Sequence, residues 1–373
     1  MHMRYDGRWN TGSDSMSIAI TSPADHLEGY VFSSGWVVGE KVLKKLGSSG
    51  ANFGICYGAT RGKERAFIKA VDFRRAFNTA NVLASISALA SHAAWERDVM
   101  EYCGAHGLSK VVRLIHHEEV LLDSANGDQT QKIFCLILEV GNGDLRGELS
   151  ARAAPKPSWN LLVLRDIALA LDQLHRKGIV HLDVKPSNVI FIPATPGRPS
   201  TMKLGDLGRV VRKGMDGPFD TQAWPGDPVY RPPEKLYGFK CAQWTDEREA
   251  ADAYLLGSLL FFLFTGLSMA TLMYHATPNS YRDGAYRGAF DGTLIDVLVR
   301  AQSEVLVTTL APVLPINCCD ELMSIAAELT HPDPRARGDR KARLRGLVGM
   351  DRYHQKFLRI AKRQEITERR ART

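Results

Sequence analysis

Residues 179–191 read I-V-H-L-D-V-K-P-S-N-V-I-F, a short polar loop framed by apolar, strand-like runs on either side. Four different chemistries fall inside eight residues: His181, Asp183, Lys185 and Asn188. Asp183 can accept a proton, Lys185 can neutralise an anion, and Asn188 offers an amide oxygen to a hard cation. Pro186 fixes one backbone angle between them and stiffens the loop. This set suits transfer of a phosphoryl group to a hydroxyl, a reaction catalysed mostly by positioning and charge neutralisation. The plain alternative, a polar turn between two strands, does not account for the Lys and Asn offsets or for the apolar frame.

The chain has 373 residues, with 45% apolar and 24% charged residues, which is ordinary for a globular protein with a sizeable core. Its formal charge of +7 is concentrated: from Arg340 onward, twelve Lys or Arg stand against three acids. The basic character therefore belongs to a tail and not to a nucleic-acid-binding body. Six scattered cysteines with no C-x-x-C pair argue against a zinc site or disulfide scaffold and fit a reducing, cytoplasmic setting. No signal-peptide pattern opens the chain. Ala253 to Tyr274 carries no charge and has the length of a membrane span. Gly266 interrupts it and the usual aromatic and basic flanks are missing, so the expectation is a buried core helix.

Residues 1–34 read as a flexible arm. From Trp36, short β-like runs follow: V-L-K-K-L ending at Leu46, then residues 53–57 and 66–71. A helical stretch spans Asn81 to Cys103, and two more strands are expected at 111–114 and 133–140. Beyond Gly141 helices dominate, beginning with one from a Ser158 N-cap to about Arg176. The Pro- and Gly-rich span up to Glu234 is too long for an ordinary connector and is expected to be functional.

Three further stretches carry chemistry. L-G-S-S-G-A-N-F-G-I-C-Y at 46–57 places Gly47, Gly50 and Gly54 between strands, where backbone N–H groups can approach an anion, although a plain hairpin has the same look. Lys69, in the strand A-F-I-K-A-V, sits among buried-type neighbours and needs a carboxylate partner. Glu96 is the first choice and Glu101 the second. Asp206, in K-L-G-D-L-G, could hold a divalent cation together with Asn188.

Taken together these stretches resemble the eukaryotic-type protein kinase family, of the Ser/Thr subclass, over about residues 36–345. The resemblance implies an α+β, two-lobed fold: a small antiparallel β-sheet lobe with one main helix at 35–140 and a larger, mainly helical lobe at 141–346, followed by a basic tail at 347–373. It implies ATP and Mg²⁺ (or Mn²⁺) as cofactors and a protein substrate with a Ser or Thr acceptor. Lys69 would hold nucleotide phosphates, with Glu96 as its partner. Glu139 and Gly141 would belong to the hinge behind the gatekeeper Leu138, and Asp144 would lie near the ribose. Asp183 would be the base, Lys185 the phosphate-steadying lysine, and Asn188 and Asp206 the metal ligands. Glu234, in Y-R-P-P-E, would pair with Arg337, and Asp252 would anchor the catalytic loop from below. Apart from the resemblance, the charge of the basic tail reads most simply as a solvated charged helix, with contact to an acidic partner or an anionic surface as the alternative, and no integral membrane segment is expected.

Four departures stand out. The glycine loop is longer than the family's G-x-G-x-x-G, with Cys56 in the usual Val place, and Phe67 lies beside the lysine. Leu182 replaces the Arg that normally pairs with a phosphorylated activation loop, which predicts activity independent of phosphorylation through that pocket. Asp227 stands where Thr is usual and could pair with Lys185. A scaffold without catalysis, or a small-molecule phosphotransferase, are the competing functions.

Overall fold

In the computed structural model, residues 22–43, 54–122, 132–152 and 155–371 are described. Gly47 and Gly50 lie outside the described residues, as do residues 1–21. Five antiparallel strands form the first sheet: β1 (Val37–Lys41), β2 (Gly54–Arg61), β3 (Glu64–Asp72), β4 (Leu114–Leu121) and β5 (Lys132–Glu139). Their order is β1-β2-β3-β5-β4.

Strand period decides what each face meets. In β3 and β5, Ala66, Ile68, Ala70, Ile133, Cys135 and Ile137 pack on the outer face, in one cluster with Leu27, Phe32 and Trp36. Val71, Phe134, Leu136 and Leu138 face the other way, toward the helix Val82–Ala105 and the second lobe. The outer cluster corrects the arm reading for residues 22–34. Ser22 caps a short 3₁₀ turn, the Tyr57 hydroxyl donates to the Ala24 carbonyl at 2.6 Å, and Ala24 and Leu27 are fully buried. Apolar residues spaced irregularly along a non-helical segment left no period to read.

Two other strand expectations shift. The first strand precedes the predicted V-L-K-K-L run, of which residues 44–46 lie outside the described residues. Strand β4 starts at Leu114, where the predicted strand ended; Val111 makes only a single parallel bridge to Leu204.

The second lobe is built on the helices Pro157–His175 and Ala250–Thr265, which pack on each other at the centre of one apolar cluster. Pro157 opens the first of these at a position that needs no N–H. Ser158 therefore lies inside the first turn, and its N–H and hydroxyl donate to Glu368 at 2.9 and 2.5 Å instead of capping the helix. Ala250–Thr265 is buried on nearly every side, as expected, and Gly266 ends it in a left-handed conformation at φ 79°. The uncharged run then continues in a separate helix, Met269–Ala276. No single helix among the described residues is long and apolar enough to cross a membrane; Thr245–Thr265 and Met269–Ala276 together pass on length and composition but are bent by 86°.

Two short strand pairs frame the loops. Strand β6 (Ile179–Val180) pairs with β9 (Val211–Arg212), and β7 (Val189–Ile192) pairs with β8 (Thr201–Leu204). The tail is helical as expected, over Met350–Arg370, but not simply solvated: its Tyr353, Phe357, Ile360 and Ala361 are buried against Pro157–His175. Burying four such side chains outweighs the charge of the sequence around them, since each large apolar one contributes about 1.5–3 kcal/mol.

Candidate functional site

The loop 181–188 is held from below. Asp252, fully buried in the first turn of Ala250–Thr265, accepts from the backbone N–H groups of His181 at 2.8 Å and Leu182 at 2.7 Å. It also contacts His175 Nε2 at 2.9 Å, a partner the sequence reading missed. Burial alone would lower the His175 pKa, but its hydrogen bond with Asp252 and that residue's charge raise it above the ordinary value. Three hydrogen bonds on one buried carboxylate fix Leu182 at φ 60°, the left-handed region, a strained choice for a bulky residue. The neighbouring segment closes over it: a Cβ on Gly226 would lie 2.0 Å from the Leu182 carbonyl, so only glycine fits there.

His181 ties the loop to the residues before Asp206. Its Nδ1 receives the Asp183 N–H at 3.2 Å, so its Nε2 carries the proton and donates to the Gly205 carbonyl at 3.1 Å. Gly205 N–H in turn donates to the Asn188 carbonyl at 2.8 Å. These bonds place Asp206, at φ 58°, beside Asn188 across the base of the cleft.

Asp183 is 4% exposed. Its carboxylate accepts from the Asp227 N–H at 2.9 Å and Asn188 Nδ2 at 3.0 Å, with Lys185 Nζ at 3.1 Å. Burial raises its pKa; Lys185 opposes that and the Asp206 charge adds to it. Lys185 reaches Asp227 at 3.2 Å, the pairing anticipated for this unusual aspartate.

Lys69 meets both Glu96 oxygens at 2.8 Å and Asp206 at 3.4 Å. Burial disfavours its charge, but Asp206 and Glu96 more than offset that and hold it protonated. The Lys69 charge pulls Asp206 below the ordinary carboxylate value against the effect of burial. Burial raises the Glu96 pKa, opposed by the Lys69 charge, while Asp206 adds to the rise. Glu101, the second choice of partner, points to another face and pairs with His117 at 3.0 Å. Asn188 and Asp206 together would offer a cation two oxygen ligands, and no cluster of three or more His, Cys, Asp or Glu among the described residues could hold a metal. A two-oxygen set fits a cation that takes its remaining ligands from phosphates and water.

The residues expected at the hinge have local partners. Glu139 is bound by Lys203 at 2.6 and 2.9 Å, and Asp144 Oδ1 caps the helix Leu145–Ala151 through the Gly147 N–H at 2.8 Å. A Cβ on Gly141 would lie 2.2 Å from Ile190 Cγ2, so glycine there lets the segment Ile190–Phe191 pack against residues 139–141. Gly54 opens β2, where a Cβ would meet the Ala70 carbonyl at 2.7 Å. Phe67 has the strand parity of Lys69 and packs with the cleft-side cluster, so it faces the cleft. At the far side of the lobe, Glu234 and Arg337 form a fully buried two-pronged pair at 2.9 and 2.7 Å, as anticipated. The remaining Arg337 donors are taken by the carbonyls of His331, Pro332 and Ala250.

Comparison with known proteins agrees with this geometry. The family described as protein kinase domain matches residues 41–337. The serine/threonine-protein kinase ArnS of Sulfolobus acidocaldarius is 32% identical over 188 residues, 47% of this chain and 28% of that protein. PkaB of Streptomyces coelicolor is 34% identical over 139 residues, covering 36% of this chain and 31% of PkaB. PknJ of Mycobacterium tuberculosis is 30% identical over 152 residues, covering 41% of this chain and 24% of PknJ. The chain thus spans less than a third of the length of these relatives.

Proposed function

Since the chain belongs to the protein kinase family, we propose that it is an ATP-dependent protein serine/threonine kinase acting at the cleft around Asp183. The observation that carries this reading is the charge constellation there: Lys69 between Glu96 and Asp206, with Asp183, Lys185 and Asn188 on the facing loop. Lys69 would hold the inner phosphates beside Gly54, together with Gly47 and Gly50 of the glycine-rich stretch, which lie outside the described residues. The base would lie between Phe67 and Ile190, against the hinge at Glu139–Gly141, with Asp144 near the ribose. Asn188 and Asp206 would hold magnesium, which when bound screens the phosphate charge; manganese suits the same oxygen ligands.

In the reaction, the acceptor oxygen bonds to the γ-phosphorus as its bond to the bridging oxygen breaks. The hydroxyl proton passes to Asp183, and Lys185 balances charge on the transferred group. Leu182 supplies no cation to a phosphorylated segment, which supports activity independent of phosphorylation through that pocket. The free cysteines support a reducing, cytoplasmic setting. The exposed face of the last helix, with Arg359, Lys362 and Arg369, is the surface we assign to an acidic partner or anionic surface.

Transfer from γ-labelled ATP to generic protein substrates tests the reading, with Asp183→Ala as control and an ATP-induced thermal shift measured in parallel. Transfer above the control supports a kinase. A thermal shift without transfer supports a non-catalytic scaffold, and the lack of both refutes the nucleotide site.

A further inference from the structure

The helix Val82–Ala105 carries more than Glu96 toward the cleft. His92 and Glu96 are one turn apart, and Trp95 lies beside them on the face that meets residues 210–219. The Trp95 indole N–H donates to the Val210 carbonyl at 3.0 Å, buried. Gly217 lies flat on the same indole: a Cβ there would be 2.9 Å from Cζ2. The φ of Gly217 is not in the left-handed range, so its glycine serves the close approach to the ring and not a turn. The Phe219 ring, 5% exposed, stacks on His92 with centroids 4.7 Å apart and planes 28° apart. Burial and the Arg209 charge lower the His92 pKa, so the ring facing Phe219 at neutral pH is uncharged.

The same segment is fastened at its other end. Asp220 Oδ2 accepts from the Gly217 N–H at 2.6 Å, and the Asp220 carbonyl accepts from Arg248 at 2.8 Å. The Trp224 indole donates to the Asp227 carbonyl at 3.1 Å, and Gly226 seals the Leu182 carbonyl. Leu182 itself is 1% exposed and uncharged, and Thr221, the hydroxyl nearest the middle of the segment, is exposed.

We propose that His92 and Trp95 are positioning residues that lock segment 210–219 onto the Glu96 helix, so that the Lys69–Glu96 pair forms without any phosphate on the segment. The proposal rests on the kinase reading and names what does the work of the missing Leu182-position cation. An aromatic contact of this kind shifts an equilibrium by about ten-fold. Removing one such contact from the helix face leaves Glu96 free to turn away from Lys69 in a sizeable fraction of molecules.

The test uses the full chain, phosphatase-treated, as wild type, His92→Ala, His92→Phe and Trp95→Phe. Hydrogen exchange of amides 208–220 reads the lock itself, whether or not the protein transfers phosphate. The expected result is faster exchange by about ten-fold in His92→Ala and Trp95→Phe, with protection restored in His92→Phe, which keeps the stack. In the transfer assay kcat should fall by a similar factor in the first two, with KM for the protein substrate unchanged, and return in His92→Phe. Trp95→Phe keeps an aromatic ring but loses the N–H and the indole edge that Gly217 packs on, so it tests the lock even if His92→Ala folds poorly. Unchanged exchange in both variants overturns the lock. So does a wild type that loses its activity on phosphatase treatment. A wild type that neither binds nor transfers from ATP, yet shows the expected exchange pattern, leaves the lock standing and removes the kinase reading instead.

Discussion

Replacing Asp252 with Asn keeps the size of the side chain and removes its charge. One oxygen becomes an NH₂ group facing donors: the Leu182 and His181 N–H groups at 2.7 and 2.8 Å and His175 Nε2 at 2.9 Å share the carboxylate. Whichever way the amide turns, at least one buried donor loses its acceptor. A hydrogen bond to a charged group contributes about 1.5–3 kcal/mol, and a buried donor left unpaired costs about 1–3 kcal/mol more. Asp252→Asn should therefore destabilise the protein by about 3–5 kcal/mol. The NH₂ falls on the Oδ1 side, where it faces only one donor, so the loss falls on Leu182, whose left-handed backbone at φ 60° that bond maintains. Relaxation of Leu182 moves Asp183, so kcat should fall by at least about 10²-fold, while the nucleotide thermal shift, which depends on Lys69 and Asp206, is retained. Urea unfolding and the transfer assay measure the two effects. A loss below about 1 kcal/mol with wild-type kcat would refute the claim that Asp252 holds the loop.

Four other expectations follow from the same geometry. Arg337→Met leaves Glu234 charged, fully buried and without its partner, and should cost about 3–5 kcal/mol in urea unfolding. Phe67→Ala should open the cleft face and allow bulkier ATP-competitive ligands or N6-substituted ATP to bind where the wild type excludes them; equal inhibition of both proteins would contradict a cleft-facing Phe67. The acid limb of the pH–rate profile should be shifted upward from the ordinary aspartate value, because burial raises the Asp183 pKa and the base works only when deprotonated. The stability profile carries the opposite sign at His175, whose folded pKa is raised. Its contribution is complete below about 6.5, its ordinary value, and is lost as pH rises through the folded one, so His175→Gln should flatten unfolding free energy across that window.

Much of the site was legible because its residues are close in sequence or carry unlike chemistry at fixed offsets. The loop 181–188, Lys69 in an apolar strand and Asp206 after a short strand are local patterns, and the choice of Glu96 over Glu101 followed helix-face geometry. The packing of residues 22–34 was not legible: Leu27, Phe32 and Trp36 show no period because they follow the contour of a sheet formed by later residues. The tail failed for a related reason. Its charge dominates the composition, yet Tyr353, Phe357 and Ile360 sit on one helical face, and several of its basic residues are neutralised on the lobe by Glu321, Glu328 and Asp339. Gly217 and Gly226 looked like ordinary loop glycines, and only the ring of Trp95 and the Leu182 carbonyl show why no side chain fits. His175 went unnoticed because its partner lies 77 residues away. The place of Leu182 was visible from the outset, whereas what replaces its missing charge is a contact between a helix and a distant segment.

The central claim is that Asp183 takes the acceptor proton in a nucleotide cleft already assembled by Lys69, Glu96 and Asp206. The most direct measurement compares wild type with Asp183→Asn for single-turnover transfer from ATP, together with ADP affinity. The account predicts a loss of at least about 10²-fold in the transfer rate with ADP affinity unchanged. Transfer by Asp183→Asn at the wild-type rate would contradict it.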